Sequence, residues 1–237
     1  MTRLSIVGVH LGNVEDVSPR ARECLAAANL LICESRKEAS RLYRALGLVF
    51  PDYRELSEHT TAEERSALVG EILKHDRVAL VSDAGMPVLA DPGAEIIHQA
   101  RERGIAIEAI AGPNAALLAL VLAGQGGTGF RFAGFPPRKT QERPVFFETL
   151  VRSDVPVVLY ETPYRLKKLL GELARLRAPG RWRVFVGVGL TTEKEFTLDT
   201  ELSSLRSRSE QVPVGPPVVV LYRDRFFSGE STHSGRN

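Results

Sequence analysis

Short apolar runs and amphipathic stretches alternate along nearly the whole chain. Leu4–Val9 is a mostly apolar segment of strand length and reads as a buried strand. Ser18-Pro19 then supplies an N-cap and a proline at the first helical position, predicting a helix to about Ala28. Leu30–Cys33 reads as a second strand, Glu34–Leu46 as a helix closed by Gly47, and Tyr53–Leu56 as a third strand. Thr61 and Glu64 form a capping-box pair before a helix ending near Lys74. Val78–Val81 is a strand, Gly93–Arg103 a helix, Ile105–Ile110 a strand and Asn114–Leu122 a helix. Strands are predicted at Phe130–Phe135, Val157–Tyr160, Val184–Val188, Phe196–Leu198 and Val218–Tyr222, with helices Gln141–Val151 and Tyr164–Leu176 among them. Regular alternation predicts an α/β fold with a mainly parallel first sheet. The later strands are spaced less regularly, which predicts a mixed second sheet. The expected division is an N-terminal α/β domain over 1–111, a C-terminal α/β domain over 112–226, and a disordered tail over 227–237, whose last stretch Ser228–Asn237 has no apolar residue.

Composition narrows the classes. With 43% hydrophobic and 25% charged residues the chain can bury a core. No apolar run approaches bilayer length, and the first residues lack a signal-peptide pattern, so a cytoplasmic protein without a membrane partner is expected. Cys24 and Cys33 sit among apolar residues outside any C-x-x-C, which favours reduced thiols. The five His have no metal-ligand spacing, so no metal site is expected. Charge is uneven: residues 1–111 hold 13 Lys/Arg against 17 Asp/Glu, and residues 112–237 hold 18 against 12. A basic second half suits a polyanionic partner, although solvated helix faces explain it equally well.

Candidate chemistry collects where strands end. Val81–Gly93, V-S-D-A-G-M-P-V-L-A-D-P-G, places two Asp, two Pro and two Gly between a strand and a helix. Ligands of open α/β sheets bind at such strand ends. Gly85 permits close approach or a positive φ, and Asp83 can accept hydrogen bonds from an amine or a ribose. Taken one residue at a time, an ordinary βα turn explains the loop; the whole string is harder to explain that way. The first loop, G-V-H-L-G-N, is neither G-x-G-x-x-G nor a P-loop. C-E-S-R-K at Cys33–Lys37 places an acid and two bases at a strand end, or simply opens a solvated helix. A-G-P-N-A-A after the fifth strand and Y-E-T-P-Y-R at Tyr160–Arg165 are each as readily turns as sites.

Together these motifs, with G-F-P-P-R-K at Gly134–Lys139, resemble the tetrapyrrole methylase superfamily, the class III S-adenosylmethionine-dependent methyltransferases. The likeness is strongest to its members that methylate a cytidine ribose 2′-hydroxyl of small-subunit ribosomal RNA. It covers about residues 4–222. The resemblance implies two α/β domains, a homodimer, and S-adenosyl-L-methionine in a cleft between the domains. Carried over by position, cofactor-binding residues are Val9, His10, Asp83, Gly85, Met86, Pro87, Asn114, Ala115, Tyr160 and Leu190. Glu34, Lys37 and Glu161 are the candidates for assisting a weakly nucleophilic hydroxyl. Ribosomal RNA or the small ribosomal subunit is the implied partner, with a basic surface expected around Arg138, Lys139, Arg143, Arg165, Lys167 and Lys168.

The chain departs from the family pattern mainly on the substrate side. The usual P-T-P-I-G-N reads G-V-H-L-G-N here, and E-D-T-R reads E-S-R-K, with Ser35 in place of an acid. An H-N pair is His59-Thr60, L-T-K is L-T-T with Thr192 in place of a lysine, and K-G-E is V-G-P at Val214–Pro216. A tetrapyrrole or other small acceptor, or a non-enzymatic cofactor-binding module, are the alternative readings. A basic surface favours RNA over either.

Overall fold

The computed structural model describes residues 1–125, 127 and 129–224. The expected tail 227–237 and part of the glycine-dense loop Gly124–Gly129 lie outside the described residues. The chain forms two compact units: Met1–Ala115 with Thr191–Glu193, and Ala116–Leu190 with Lys194–Asn237. Among the described residues no helix is long and apolar enough to cross a membrane.

The first unit runs β1 (Arg3–Val7), α1 (Pro19–Ala27), β2 (Leu30–Cys33), α2 (Arg36–Ala45), β3 (Asp52–Glu55), α3 (Ala62–Ile72), β4 (Arg77–Leu80), α4 (Ala94–Glu102) and β5 (Ala106–Ile110). Its five strands are all parallel, in the order β3-β2-β4-β1-β5. The central strands are apolar on both faces because helices cover both. Leu68, Val69, Ile72, Ile96 and Ala100 of α3 and α4 cover one face; Ala21, Leu25, Ala39, Leu42 and Tyr43 of α1 and α2 cover the other. Helix starts follow the expected chemistry. The Ser18 hydroxyl accepts from Ala21 N–H, and Thr61 and Glu64 complete their capping box. The second helix begins later than its pattern suggests. Ser35 caps it, accepting from Glu38 N–H at 3.5 Å, so Glu34 stands outside the helix in the strand-to-helix turn.

The second unit contains α5 (Ala115–Leu122), β6 (Arg131–Gly134), α6 (Arg143–Leu150), β7 (Val157–Tyr160), α7 (Leu166–Leu173), β8 (Trp182–Val188), β9 (Phe196–Glu201), α8 (Leu205–Arg208) and β10 (Pro217–Arg223). Strand order is β6-β7-β10-β8-β9. Only β6 and β7 pair in parallel; the rest are antiparallel, giving the mixed sheet that the spacing predicts. Helices α6, α7 and α8 cover one face through Phe147, Leu150, Leu169, Leu173 and Leu205. Helix α5 covers the other through Ala116, Ala119 and Leu120. The short α8 has no counterpart in the sequence pattern, because its serine-rich segment shows one apolar residue per turn.

Candidate active site

In the first unit β1 and β4 are neighbours, yet the chain leaves β1 towards β2 and leaves β4 towards β5, on opposite sides. Their C-terminal ends therefore open a switch point, the place where open α/β sheets hold ligands. The two loops are tied there by reciprocal backbone hydrogen bonds. Val9 N–H donates to Gly85 O at 2.9 Å, and Gly85 N–H donates to His10 O at 3.1 Å. Gly85 adopts φ +75°, and a Cβ there would stand 3.0 Å from Leu11 Cδ2 and 3.3 Å from Pro113 O. Gly8 and Gly112 pack backbone against backbone: a Cβ on Gly8 would lie 2.6 Å from Gly112 Cα and 2.5 Å from Met86 Sδ. Val88 and Ala90 hold φ of 77° and 67°. Such angles strain any residue with a Cβ, by about 1–3 kcal/mol each, and cluster at ligand clamps.

These contacts place the expected cofactor residues of this unit. Val9 and Pro87 are buried, Met86 packs on Gly8, Asn114 immediately precedes α5, and Ala115 is its first residue. His10 is half-buried and its Nδ1 has no hydrogen-bond partner. Burial pushes its pKa down, against the pull of Asp16.

Carboxylates gather beside the switch point. Burial, with Asp91, Asp83 and Glu58 adding repulsion, pushes the Glu34 carboxyl up to about 7, against the pull of the Asp83 backbone N–H. Burial and Asp83 push Asp91 up to about 6, against a hydrogen bond from Ser82. Asp83 itself is raised by partial desolvation and by Glu38. Asp91 escaped the sequence reading as a site residue, although it is the second acid of the same loop. Lys37 is exposed in the first turn of α2.

A raised carboxyl pKa is a charge the fold tolerates poorly. The Glu34 penalty is absent well below pH 4.5, grows as the unfolded chain ionises first, and is complete above the folded value near 7. Glu34→Gln should therefore raise the melting temperature most at pH 8 and little at pH 4.5. Thermal denaturation at both pH values checks this, and an equal shift at both would contradict the assigned environment.

In the second unit, Tyr160 ends β7. Its hydroxyl accepts from Ala116 N–H at 3.2 Å, in the first turn of α5. Its ring meets Phe132 and Phe135 edge-on at 4.9 and 5.9 Å. Glu161 is buried; Oε1 accepts from Thr162 N–H at 2.9 Å. Its Oε2 lies 3.3 Å from Arg165 Nη2 yet makes no hydrogen bond. Leu190 is buried and packs over Gly187. The residues after it, Thr191 and Thr192, belong to the first unit. Asn13 N–H donates to Thr191 Oγ1 at 3.1 Å, and Thr192 lies so close to Gly12 that a Cβ there would overlap its methyl. The structure thus gives Thr192 a packing role at a position where the family carries a lysine.

Of the expected surface cations, Arg143 is buried and Arg165 is only partly exposed. Arg143 is 2% exposed, donating from Nε to Glu172 Oε1 at 2.8 Å and from Nη1 to Pro137 O at 2.6 Å. Arg165 donates to Pro136 O and Pro137 O at 3.0 and 3.3 Å while pairing with Glu161. Both fasten the Gly134–Lys139 loop from beneath. Lys139 is exposed but pairs with Glu142 at 3.3 Å.

The chain matches the model of one family, the tetrapyrrole (corrin/porphyrin) methylases, over residues 3–206. It is 34% identical to ribosomal RNA small subunit methyltransferase I of Leptospira borgpetersenii, a match covering 92% of this chain and 87% of that protein. A solved structure of diphthine synthase superposes with a TM-score of 0.72 at 17% identity, covering 94% of this chain and 90% of the other. Uroporphyrin-III C-methyl transferase from Thermus thermophilus, solved in complex with S-adenyl homocysteine, gives 0.63 at 21% identity, covering 92% and 96%. These two structures share its fold.

Proposed function

Because the chain belongs to the tetrapyrrole methylase family, we propose that it methylates the 2′-hydroxyl of a cytidine ribose in small-subunit ribosomal RNA. It is an S-adenosylmethionine-dependent methyltransferase. One observation carries the site assignment. The loop Val81–Gly93 and the turn Ile110–Ala115, two of the motifs that carry the family resemblance, meet at the switch point, with Gly85 against Pro113 and Gly8 against Gly112.

The residues present suit such a cofactor. Its ammonium, ribose hydroxyls and adenine amine need acceptors, and its sulfonium carries positive charge. Asp83, with Glu34 and Asp91 beside it, offers carboxylates whose raised pKa values a cation would lower. His10 Nδ1 and Glu161 Oε2 are buried polar atoms without hydrogen-bond partners, the second beside the Arg165 guanidinium. When bound, the cofactor supplies an electrophilic methyl group. The tied loops hold Val9, His10, Asp83, Gly85, Met86 and Pro87 in one fixed arrangement, which spends no ordering entropy at the moment of binding. Asn114, Ala115, Tyr160 and Leu190 complete the proposed set. Glu34, with a pKa near 7, is the base that takes the hydroxyl proton at neutral pH. Lys37, exposed three residues on, holds a phosphate of the acceptor strand. Glu161 sets the loop through Arg165. The homodimer is supported by the outward side of α5, where Val121 and Leu122 are 70% and 49% exposed.

Calorimetry should give a micromolar Kd for S-adenosylhomocysteine, about −8 kcal/mol. Small subunits from a strain lacking the modification should accept one labelled methyl per particle at a cytidine ribose. Folded protein that binds no S-adenosylhomocysteine would overturn the assignment.

A further inference from the structure

Every Lys and Arg described in the second unit is engaged by an ion pair, a hydrogen bond or another polar contact, apart from one group. Lys139, Arg143, Arg152, Arg165, Arg181, Arg183 and Arg223 pair with acids. Arg131 bonds to Thr149, and Arg138 and Lys194 have partners. The cations left over are Lys167 and Lys168 of α7, Arg175 and Arg177 of the segment after it, and Arg206 and Arg208 of α8. All are exposed. Helices α7 and α8 pack on each other and on the same sheet face, so these cations share one side of the unit.

The helix geometry aims them outward. Leu166, Leu169, Leu170 and Leu173 turn the apolar stripe of α7 into the core. Lys168 lies opposite that stripe, and Arg175 is exposed in the turn that follows the helix. Leu205 buries the inner side of α8 and leaves Arg206 and Arg208 outside. The acids nearby do little to neutralise them. Glu172 is committed to Arg143, Glu148 lies 3.9 Å from Arg152, and Glu210 alone stands free on the turn after α8.

We propose that this face, α7 with its following segment and α8, grips the sugar-phosphate backbone of the RNA that carries the target nucleotide; the proposal rests on the ribosomal RNA reading above. Four of its cations are arginines, whose planar forks match phosphate oxygens in pairs. An anionic membrane fits less well, because Lys167, Lys168 and Gly171 of α7 and Arg175 in the turn after it offer no apolar anchor to insert. An acidic protein fits less well, because the face lacks the buried aromatic or aliphatic centre on which such interfaces depend. The contact reads backbone rather than base, so it holds flanking RNA whatever its sequence.

The test compares wild type with Arg175→Gln/Arg177→Gln/Arg206→Gln/Arg208→Gln on a fluorescent base-paired RNA hairpin across a salt series. Each phosphate contact adds about 0.7–0.9 to the slope of log K against log salt, so the quadruple variant should flatten it by about 3. Its affinity for S-adenosylhomocysteine and its melting curve should not change. A milder Arg175→Gln/Arg206→Gln variant should flatten the slope by about half as much. An unchanged slope with intact methylation of small subunits overturns this proposal alone. Wild-type protein that binds phosphatidylglycerol vesicles as tightly as RNA at equal salt also overturns it. Wild type that binds S-adenosylhomocysteine but neither RNA nor small subunits brings down the ribosomal reading and this proposal together.

Discussion

Gly112→Ala should weaken S-adenosylhomocysteine binding by on the order of 100-fold or more, equivalent to about 2.7 kcal/mol, and destabilise the first unit. A Cβ on Gly112 would stand 2.6 Å from Gly8 C and 2.7 Å from Gly8 Cα. These are main-chain atoms, so no rotamer change relieves the overlap. The strand ends of β1 and β5 must separate, and Gly8 N–H, which donates to Ile110 O at 2.9 Å, is pulled with them. Overpacking of this kind costs about 1–3 kcal/mol, and a backbone-on-backbone clash belongs at the top of that range. The loop through Val9 and His10 then loses its register with Gly85. Gly104→Ala is the control. Unlike Gly112 it has positive φ, but nothing lies within 4 Å, so it should cost about 1 kcal/mol of strain and leave binding intact. Calorimetry and urea denaturation on both variants decide the matter; equal behaviour of the two would refute the close approach.

Arg143→Ala should destabilise the second unit by about 3–5 kcal/mol, because it leaves Glu172 without its partner. The arginine side chain is 2% exposed and the glutamate 20%, which places the loss nearer the lower figure. Arg143→Met with Glu172→Leu removes both charges and should recover most of the stability, since a buried pair can be replaced by apolar groups at little net cost. Urea denaturation of both variants checks the pattern. A phosphate-binding Arg143 would behave otherwise: its alanine variant would melt like wild type and lose affinity for RNA.

That contrast marks where the sequence was informative and where it was not. Strands and most helix starts were legible because their signals are local. Ser18-Pro19, Thr61 with Glu64, and the apolar runs β2 and β7 each lie within a few residues. The switch-point loop was legible for the same reason, as Gly, Pro and Asp concentrate between β4 and α4. Arg143 was misread as surface charge, and the tethering of the partly exposed Arg165 went unread, because what holds them is remote or unrelated to charge. The partner of Arg143 lies 29 residues away, and Arg165 is held largely by the carbonyls of Pro136 and Pro137, which have no sequence signature. The raised pKa of Glu34 was hidden too. Its causes are burial first, then Asp91 and Asp83 of the switch-point loop and Glu58 from the segment after β3, none of them adjacent in sequence. Glu34 itself was assigned to a helix that Ser35 in fact begins.

The passage of Thr191–Glu193 into the first unit bears on how the protein is made. Synthesis is vectorial, so β1 to β5 leave the ribosome long before Thr191 does. Until then Asn13 N–H lacks the Thr191 hydroxyl and Gly12 lacks Thr192 packed against it. The first loop of the site is therefore fastened last, from a segment that follows β8. Those contacts form only once most of the second unit has been translated.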